Sequence, residues 1–173
     1  MTDEVILVDS EDNVIGTMQK MEAHVKGRLH RAFSVFIFNT EGALLLQQRA
    51  YDKYHSAGKW TNTCCSHPKM GEDTLDAAHR RLREEMGMAC KLEHEFSFSY
   101  QAEMPEGISE NEYDHVFFGV SNELPVPDPA EVAQYKYMDM NVLKADMESN
   151  PDAYTAWLKI CFERVMEGYN RLF

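Results

Sequence analysis

The segment from Asp73 to Gly87 constrains the fold most, because it carries the clearest helical pattern in the chain. Its apolar residues recur at helical spacing, at Leu75, Ala78, Leu82 and Met86. Asp73 is a suitable N-cap, and Gly87 stands just past the last apolar residue, where helices often end. The segment therefore predicts an amphipathic helix over residues 73–86.

Extended segments on both sides of this helix predict a sheet. The predicted strands are residues 4–9, 15–19, 32–39, 43–49, 91–103, 113–121 and a short one near 135–138. A stripe of apolar residues in the tail predicts an amphipathic helix from about Pro151 to Leu172, and it consists of Tyr154, Trp157, Leu158, Cys161, Phe162 and Val165. The fold class is therefore α+β, a mixed β-sheet with flanking helices.

Length and charge limit the class of protein. A chain of 173 residues without repeats or Gly/Ser-rich linkers predicts a single domain over residues 1–173. The net charge of −12 repels nucleic acid and anionic membrane surfaces, so neither is expected as a partner. No segment approaches the roughly 20 apolar residues that span a bilayer, and the acidic start does not resemble a signal peptide. We expect a soluble cytoplasmic protein, and the sequence is compatible with a monomer or a homodimer.

The cysteines suggest a reactive thiol. Four are present, at 64, 65, 90 and 161, and a cytosolic chain keeps them reduced. Cys65 and His67 are two residues apart, so an extended backbone brings thiol and imidazole to the same side, while Cys64 points away. A cation beside Cys65 would lower the pKa of its thiol. The alternative, more common for a lone cysteine, is a small buried residue in a strand.

Nitrogen and oxygen donors offer a candidate metal site. They are His24, His30, His67, Glu110 and Glu112. Glu110 and Glu112 form an i, i+2 pair, which points both carboxylates to one face of an extended segment. This set suits octahedral Mn²⁺ or Mg²⁺, or Zn²⁺ with fewer ligands. The alternative is that the histidines are surface or core residues and the glutamates are solvated in a loop.

The end of the predicted helix carries a carboxylate that needs a cation. Counting 100° per residue from Leu75 places Glu85 at the edge of the buried stripe and Glu84 opposite it. Arg81, one turn earlier, or a metal could supply that cation. Alternatively, Arg81 and Glu85 form an ordinary i, i+4 surface pair.

Three further cations and one tryptophan are either ligand-binding residues or ordinary surface and core residues. Lys20, Arg49 and Lys53 lie near the ends of strands or turns, where they could join Arg81 in a patch that binds an anion. Otherwise they are ordinary surface charges. Trp157 is a core residue of the terminal helix, or its ring face stabilises a cation.

Residues 66–87, SHPKMGEDTLDAAHRRLREEMG, resemble the Nudix signature G-x5-E-x7-R-E-U-x-E-E-x-G. The positions in register are Glu72, Arg80, Leu82, Glu84, Glu85 and Gly87. Ser66 replaces the first glycine, and Arg81 replaces the first glutamate of the R-E-U-x-E-E core, one of the carboxylates that bind the hydrolytic metals. The second replacement argues against ordinary Nudix hydrolysis of a diphosphate.

Three further motifs narrow the resemblance. They are Arg28 to Ser34 (RLHRAFS), Trp60 to Pro68 (WTNTCCSHP) and Glu110 to Glu112 (ENE). Together with the signature they resemble the type 1 isopentenyl diphosphate isomerases, which have the Nudix fold. The resemblance extends from about Val5 to the terminal helix, and Ser66 stands where this family more usually has glycine.

The resemblance implies roles for particular residues. The implied metal ligands are His24, His30, His67, Glu110 and Glu112, and the implied catalytic residues are Cys65 and Glu112, with Tyr100 beside Glu112. Glu85 corresponds to the ligand of a Mg²⁺ ion that arrives with the diphosphate substrate. The implied contacts to that substrate are Lys20, Arg49, Lys53 and Arg81, with Trp157 over the hydrocarbon. The histidine site would hold Mn²⁺ or Mg²⁺, with Zn²⁺ as the alternative.

The implied reaction moves one proton within a five-carbon diphosphate. We expect Glu112 and Tyr100 to protonate C4 of isopentenyl diphosphate and the Cys65 thiolate to remove a proton from C2, giving dimethylallyl diphosphate. Two rival functions remain at this point. One is a Nudix hydrolase of a nucleotide or other diphosphate, and the other is a non-catalytic module in which Cys64, Cys65 and His67 hold structural Zn²⁺.

Overall fold

The computed structural model describes residues 3–173, which form a mixed nine-stranded sheet with helices on both faces. In chain order the elements are β1 (Glu4–Val8), β2 (Val14–Gln19), α1 (Lys20–Lys26), β3 (His30–Phe38), β4 (Leu44–Arg49), β5 (Trp60–Thr61), β6 (Cys64–Ser66), α2 (Thr74–Met86), β7 (Glu93–Glu103), β8 (Ser109–Val120), β9 (Val132–Met138), α3 (Met140–Ser149) and α4 (Ala156–Leu172). The predicted α+β class is confirmed.

Helix α2 forms where its caps and periodicity predict it. The Asp73 carboxylate accepts hydrogen bonds from the backbone N–H groups of Leu75 and Asp76, which have no partner within the helix. At the other end, Gly87 adopts the left-handed conformation, with φ of 62°, and its N–H donates to carbonyls of the last turn. These two caps fix both ends of the helix, and therefore the position of Glu85 on its buried side.

Strand β3 is the centre of the sheet and is covered on both faces. Its residues Phe33, Val35 and Ile37 pack in one hydrophobic cluster with α2. Phe36 and Phe38 belong to a second cluster on the opposite face, with α3 and α4. Because both faces are covered, β3 has an almost continuous apolar run rather than an alternating one. Each apolar side chain buried in this way stabilises the fold by about 1.5–3 kcal/mol relative to exposure.

Strand β8 differs from the prediction in a way that matters for the site. It begins at Ser109 rather than at residue 113, and it pairs with β7 along its whole first half. Glu110 and Glu112 therefore lie inside a strand and are buried, not solvated in a loop. The sequence did not predict this part of the strand, because carboxylates such as Glu110 and Glu112 are rare in strand interiors unless they have partners.

Three helical segments also differ from the prediction. Helices α1 and α3 were not predicted from the sequence, and α1 has only seven residues. The terminal helix begins at Ala156, after a 3₁₀ turn over Pro151–Ala153. Tyr154 is extended between them and bridges to Trp60, so it is not part of the helix stripe. Within residues 3–173, no helix combines the length and apolarity needed to cross a membrane.

Replacing Gly87 with alanine tests the end of α2. A Cβ atom there would lie 2.5 Å from the carbonyl oxygen of Val126, and the left-handed conformation is itself unfavourable for a residue with a side chain. We expect the free energy of unfolding in urea to fall by at least about 2 kcal/mol. The matched control is Gly71→Ala, which has φ of 80° but no atom within 4 Å of the new Cβ. Equal losses in the two variants would contradict the proposed clash.

Candidate functional site

A cleft of about 170 Å³ opens where β3, β6 and β8 meet the helices and the loop after β4. Most of the site residues predicted from the sequence line this cleft. The exceptions are Tyr100, His24 and His30, and each of them contacts Glu110 or Glu112, which do line it. The structure therefore brings the predicted metal, thiol and cation groups into one place. The strand register explains how.

Parallel pairing of β3 and β8 aligns the acidic and imidazole side chains. His30 on β3 is in register with Glu112 on β8, and Glu112 is in register with Tyr100 on β7. Ser34 lies four residues after His30 on the same face of β3, and it is in register with Cys65 on β6. Residues in register on neighbouring strands point to the same face of a sheet. Tyr100, Glu112, His30, Ser34 and Cys65 consequently face the cleft together.

The five predicted metal donors form one buried cluster. Nε2 of His24 lies 3.3 Å from Glu110 Oε1, and Nε2 of His30 lies 3.2 Å from Glu112 Oε2. His67 Nε2 lies 2.7 Å from the same Glu112 oxygen. His24 and His30 are completely buried, and the two carboxylates nearly so. Burying two carboxylates is costly unless cations or strong donors compensate them.

The tautomers of His24 and His30 indicate that the compensating cation is a metal ion rather than a protonated imidazole. Nδ1 of His24 lies 2.7 Å from the Lys20 carbonyl oxygen, and Nδ1 of His30 lies 2.8 Å from the Arg28 carbonyl oxygen. A carbonyl only accepts, so each Nδ1 carries the proton and each Nε2 lone pair faces the carboxylates. Among residues 3–173 these Nε2 atoms have no hydrogen-bond partner. Lone pairs facing each other need a cation between them, and the donor atoms fit a divalent metal.

The charges of the cluster are consistent with this interpretation. Burial acts to raise the pKa of Glu112, but the imidazoles of His30 and His67 beside it hold that pKa well below its usual range. Burial and the charge of Glu112 act to raise the pKa of Glu110, but the imidazoles beside it, His24 among them, lower that pKa below its usual value. Glu110 and Glu112 are therefore carboxylates, which a metal ion requires of its ligands.

A fourth histidine belongs to this cluster and was not predicted from the sequence. His55, in the loop after β4, is 2% exposed, and its Nε2 lies 2.5 Å from Glu110 Oε1. It has no periodic relation to another donor in the sequence, so spacing could not have identified it. Asp114 was also missed, although it continues the i, i+2 series of Glu110 and Glu112 on β8. Asp114 accepts a 2.8 Å hydrogen bond from Ser34, and burial raises its pKa well above the usual value.

The Cys65 thiol lies among three polar groups. It donates to Asn62 Oδ1 at 3.0 Å and accepts from the indole N–H of Trp157 at 3.1 Å, and the Ser34 hydroxyl lies 3.6 Å away. Asn62 is fixed because its amide donates to the carbonyls of Val35 and Cys64. Burial and nearby Asp114 raise the pKa of the Cys65 thiol to about 12. The sulfur is therefore a protonated thiol in the free protein.

Cys64 points away from its neighbour, as the alternation of a strand predicts. It packs in the cluster beneath α2, and its Sγ donates to Glu85 Oε2 at 3.2 Å. Cys65 instead faces the cleft beside Trp157. One ion cannot contact two sulfurs on opposite faces of a strand. The structural Zn²⁺ site of Cys64, Cys65 and His67 is therefore wrong, and no donor group of residues 3–173 combines them.

Tyr100 is joined directly to the carboxylate cluster. Its phenol donates a hydrogen bond to Glu112 Oε1, on the side of that carboxylate away from His67. Burial and the charge of Glu112 raise the pKa of Tyr100 well above its usual value. The phenol therefore keeps its proton and acts as a hydrogen-bond donor.

The predicted cations line the opposite side of the cleft, where acidic side chains share them. Arg81 donates to Glu85 at 2.7 Å and to Glu84 at 2.6 Å, so the i, i+4 pair exists and Glu85 is its buried member. Lys53 donates to Glu131 at 2.6 Å. Glu131 precedes β9 and was not predicted, because its sequence context is that of an ordinary loop carboxylate.

Two of these cations, Arg49 and Lys20, lie beside aromatic rings of the cleft lining. The Arg49 guanidinium lies 5.3 Å from the ring centre of Trp157, and it donates to the His55 carbonyl at 3.2 Å. Lys20 lies 4.7 Å above the ring of Tyr54, and burial lowers the pKa of its ammonium. The cleft thus combines a cationic side, a partly buried thiol and a carboxylate cluster, which suits an anion with an uncharged tail.

Comparisons with known proteins give this arrangement a context. Residues 28–158 match the family model described as the NUDIX domain. The isopentenyl-diphosphate Delta-isomerase 1 of Aromatoleum aromaticum is 53% identical over 96% of this chain and 94% of its own. The isopentenyl-diphosphate Delta-isomerase of Pectobacterium atrosepticum is 51% identical over 94% of this chain and 90% of its own.

A solved structure shows the same fold at much lower identity. The crystal structure of DR0079 from Deinococcus radiodurans has a TM-score of 0.79 at 19% identity, and the match covers 94% of this chain and 98% of that one. The likeness extends beyond the matched domain to nearly the whole chain.

Metal binding should stabilise the fold through the histidine cluster. A metal at about 100 times its Kd adds about 2.7 kcal/mol, so Mn²⁺ added to chelator-treated protein should raise Tm by about 5–10 °C. Glu110→Gln keeps the shape of a buried donor but removes its charge, and it should lose most of that rise. Differential scanning calorimetry measures both. An unchanged Tm on adding Mn²⁺ to the unsubstituted protein would count against a metal at this site.

Proposed function

Because the chain belongs to the type 1 isopentenyl-diphosphate Delta-isomerases of the Nudix superfamily, we propose that its cleft performs their proton shift with Cys65 and Glu112 as the two proton-transferring groups. The protein interconverts isopentenyl diphosphate and dimethylallyl diphosphate. The observation that carries the proposal is that both residues line one cleft, with a tyrosine behind the carboxylate and an indole beside the sulfur.

The acid must protonate an unactivated alkene, which is a very weak base. Such an acid has to be strong and shielded from water. Glu112 is 7% exposed and Tyr100 is 6% exposed, so both are shielded from water. Because Glu112 is a carboxylate and Tyr100 keeps its proton, the proton comes from the Tyr100 phenol, which donates to Glu112. We assign them the delivery of the proton to C4. A divalent ion held by His24, His30, His67, Glu110 and Glu112 would supply Lewis acidity, which strengthens the acids in contact with it.

The base must remove a proton from C2 on the other side of the hydrocarbon. The Cys65 sulfur is protonated in the free protein, but it lines the cleft and is partly exposed. To act in this direction it passes its proton to solvent before the substrate fills the cleft, and the resulting thiolate takes the proton from C2. The Trp157 N–H already donates to this sulfur, and it would stabilise a thiolate more strongly than a thiol. The reaction is reversible, and in the reverse direction the neutral thiol is the acid. The raised pKa of the Cys65 thiol thus suits its role as an acid in the reverse direction.

Trp157 also has a role toward the positive charge that forms at C3. Its ring is 95% buried, and the Arg49 guanidinium already lies near one face. An aromatic ring stabilises a nearby cation by about 0.5–2 kcal/mol, more in a dry pocket than in water. We propose that the indole holds the sulfur with its N–H and the carbocation with its ring face.

The diphosphate serves as an anchor rather than as a reacting group. We assign its contacts to Lys20, Arg49, Lys53 and Arg81, with Glu85 holding a Mg²⁺ ion that accompanies it. These cations reverse the field of a chain whose net charge is −12. Binding energy from the anchor can then position the hydrocarbon between acid and base.

The finer assignments follow from the same chemistry. Carboxylates and imidazoles together favour Mn²⁺ or Mg²⁺ at the histidine cluster, with Zn²⁺ as the alternative. All four cysteines are unpaired thiols, which is typical of a reducing compartment, and we place the protein in the cytoplasm. A nucleotide hydrolase is not supported, because the relatives at about half identity are isomerases by name.

Removing either proton-transferring group should abolish most turnover. We expect Cys65→Ala and Glu112→Gln each to lower kcat by at least about 100-fold, because each removes one of the two proton transfers. Circular dichroism should show an unchanged fold. Cys90→Ala is the matched control, since Cys90 is a partly buried thiol outside the cleft, and it should keep its activity. Near-normal rates in either active-site variant would remove that residue from the mechanism.

The direction of protonation can be read from isotope labelling. Incubation with isopentenyl diphosphate and Mg²⁺ in deuterated water should give dimethylallyl diphosphate that carries deuterium at C4, detectable by NMR. Release of inorganic phosphate should stay at background. Phosphate release without labelled product would favour hydrolysis instead.

A further inference from the structure

The carboxylate cluster contains a fourth imidazole whose position matches those of the three assigned above. His55, His24 and Glu110 each offer a ligand atom within 4.8 Å of the others, and all three residues are buried. The His24 and His55 rings are 5.7 Å apart. His55 therefore occupies the side of the cluster that Glu110 faces, away from the pair formed by His67 and Glu112.

Nε2 of His55 faces the cluster, while its Nδ1 faces a hydroxyl. The Ser56 hydroxyl lies 3.2 Å from Nδ1 and donates to the Met104 sulfur at 3.8 Å, so it can accept from Nδ1. With the proton on Nδ1, Nε2 directs a lone pair toward Glu110. Among residues 3–173, Nε2 of His55 has no hydrogen-bond partner despite its contact with Glu110. His24 and His30 have the same unpartnered Nε2.

The loop after β4 holds His55 in place through an unfavourable backbone conformation. Ser56 has φ of 52°, which is uncommon for a residue other than glycine. The Arg49 guanidinium binds the His55 carbonyl, and the Tyr54 ring meets the imidazole edge-on at 4.3 Å. Strain of this kind persists where surrounding contacts impose it, and it is concentrated at functional sites. The loop thus directs one particular side chain toward the carboxylates.

We propose that His55 is a fourth imidazole ligand of the metal at this cluster. The inference rests on the proposed function, which assigns the metal to five other residues. An octahedral ion has six positions, so one ligand from each of those residues leaves one position open, and His55 would fill it on the Glu110 side. Four nitrogens and two oxygens favour Mn²⁺, Co²⁺ or Zn²⁺ over Mg²⁺, which prefers oxygen ligands.

Counting coordinated nitrogens tests this directly. X-ray absorption and pulsed EPR of the Mn²⁺-loaded protein should give four imidazole ligands, and three in His55→Ala. The Mn²⁺ affinity of that variant, measured by titration calorimetry, should fall at least about tenfold. His94→Ala is the matched control, because His94 is an exposed histidine on β7, and it should change neither result.

The unsubstituted protein decides the question even if His55→Ala does not fold. Three imidazoles in that protein, with normal isomerisation, would overturn the role of His55 and leave the proposed function intact. Two Mn²⁺ ions per chain without diphosphate would place His55 in a separate site and also overturn it. If the unsubstituted protein bound no metal, the assignment of the whole cluster would fail, and the inference with it.

Discussion

The site depends on the parallel register of β3 and β8, which sets completely buried imidazoles against buried carboxylates. His30 and Glu112 are neighbours across that register, and Tyr100 is the next neighbour on β7. Neither carboxylate can be left unpaired in this environment, because an isolated buried charge costs several kcal/mol. The Nδ1 protons of His24 and His30 are already committed to backbone carbonyls, so their Nε2 atoms cannot donate to these carboxylates. The register of the sheet thus creates a cluster that is compatible with a divalent metal.

The parts of the fold that follow from local physics were accessible from the sequence. Helix α2 has its caps and its periodicity in one short segment, and the opposite orientations of Cys64 and Cys65 follow from strand alternation. His55 and Glu131 were not accessible, because long-range contacts place their loops and neither belongs to a repeating pattern. The first half of β8 was not predicted, because its acidic residues, which are the proposed metal ligands, are unusual in a strand. The roles of Tyr100, Lys20 and Arg49 came from family resemblance rather than from spacing, and they remain proposals.

The fold is shared with distant Nudix structures, but the chemistry is set by a small number of side chains. Arg81 stands where the Nudix signature has a metal-binding glutamate, and its guanidinium instead pairs with Glu85 and Glu84. The carboxylates that face the four histidines come from β8, a different element. A fold alone does not specify a reaction. Here one acid-to-base replacement on α2 accompanies a second group of acids on β8. In the proposed mechanism, the first anchors the diphosphate and the second transfers protons.

The contact between the Trp157 indole and the Cys65 sulfur has a practical consequence. The chain contains two tryptophans, and the other, Trp60, has a lysine ammonium 4.0 Å from its ring centre rather than a thiol beside it. Indole emission is sensitive to a neighbouring sulfur and to its ionisation, so one of the two fluorophores reports on the state of that atom. The protein therefore carries an intrinsic optical reporter beside the Cys65 thiol, which can follow alkylation, oxidation or occupancy of the cleft without an added label.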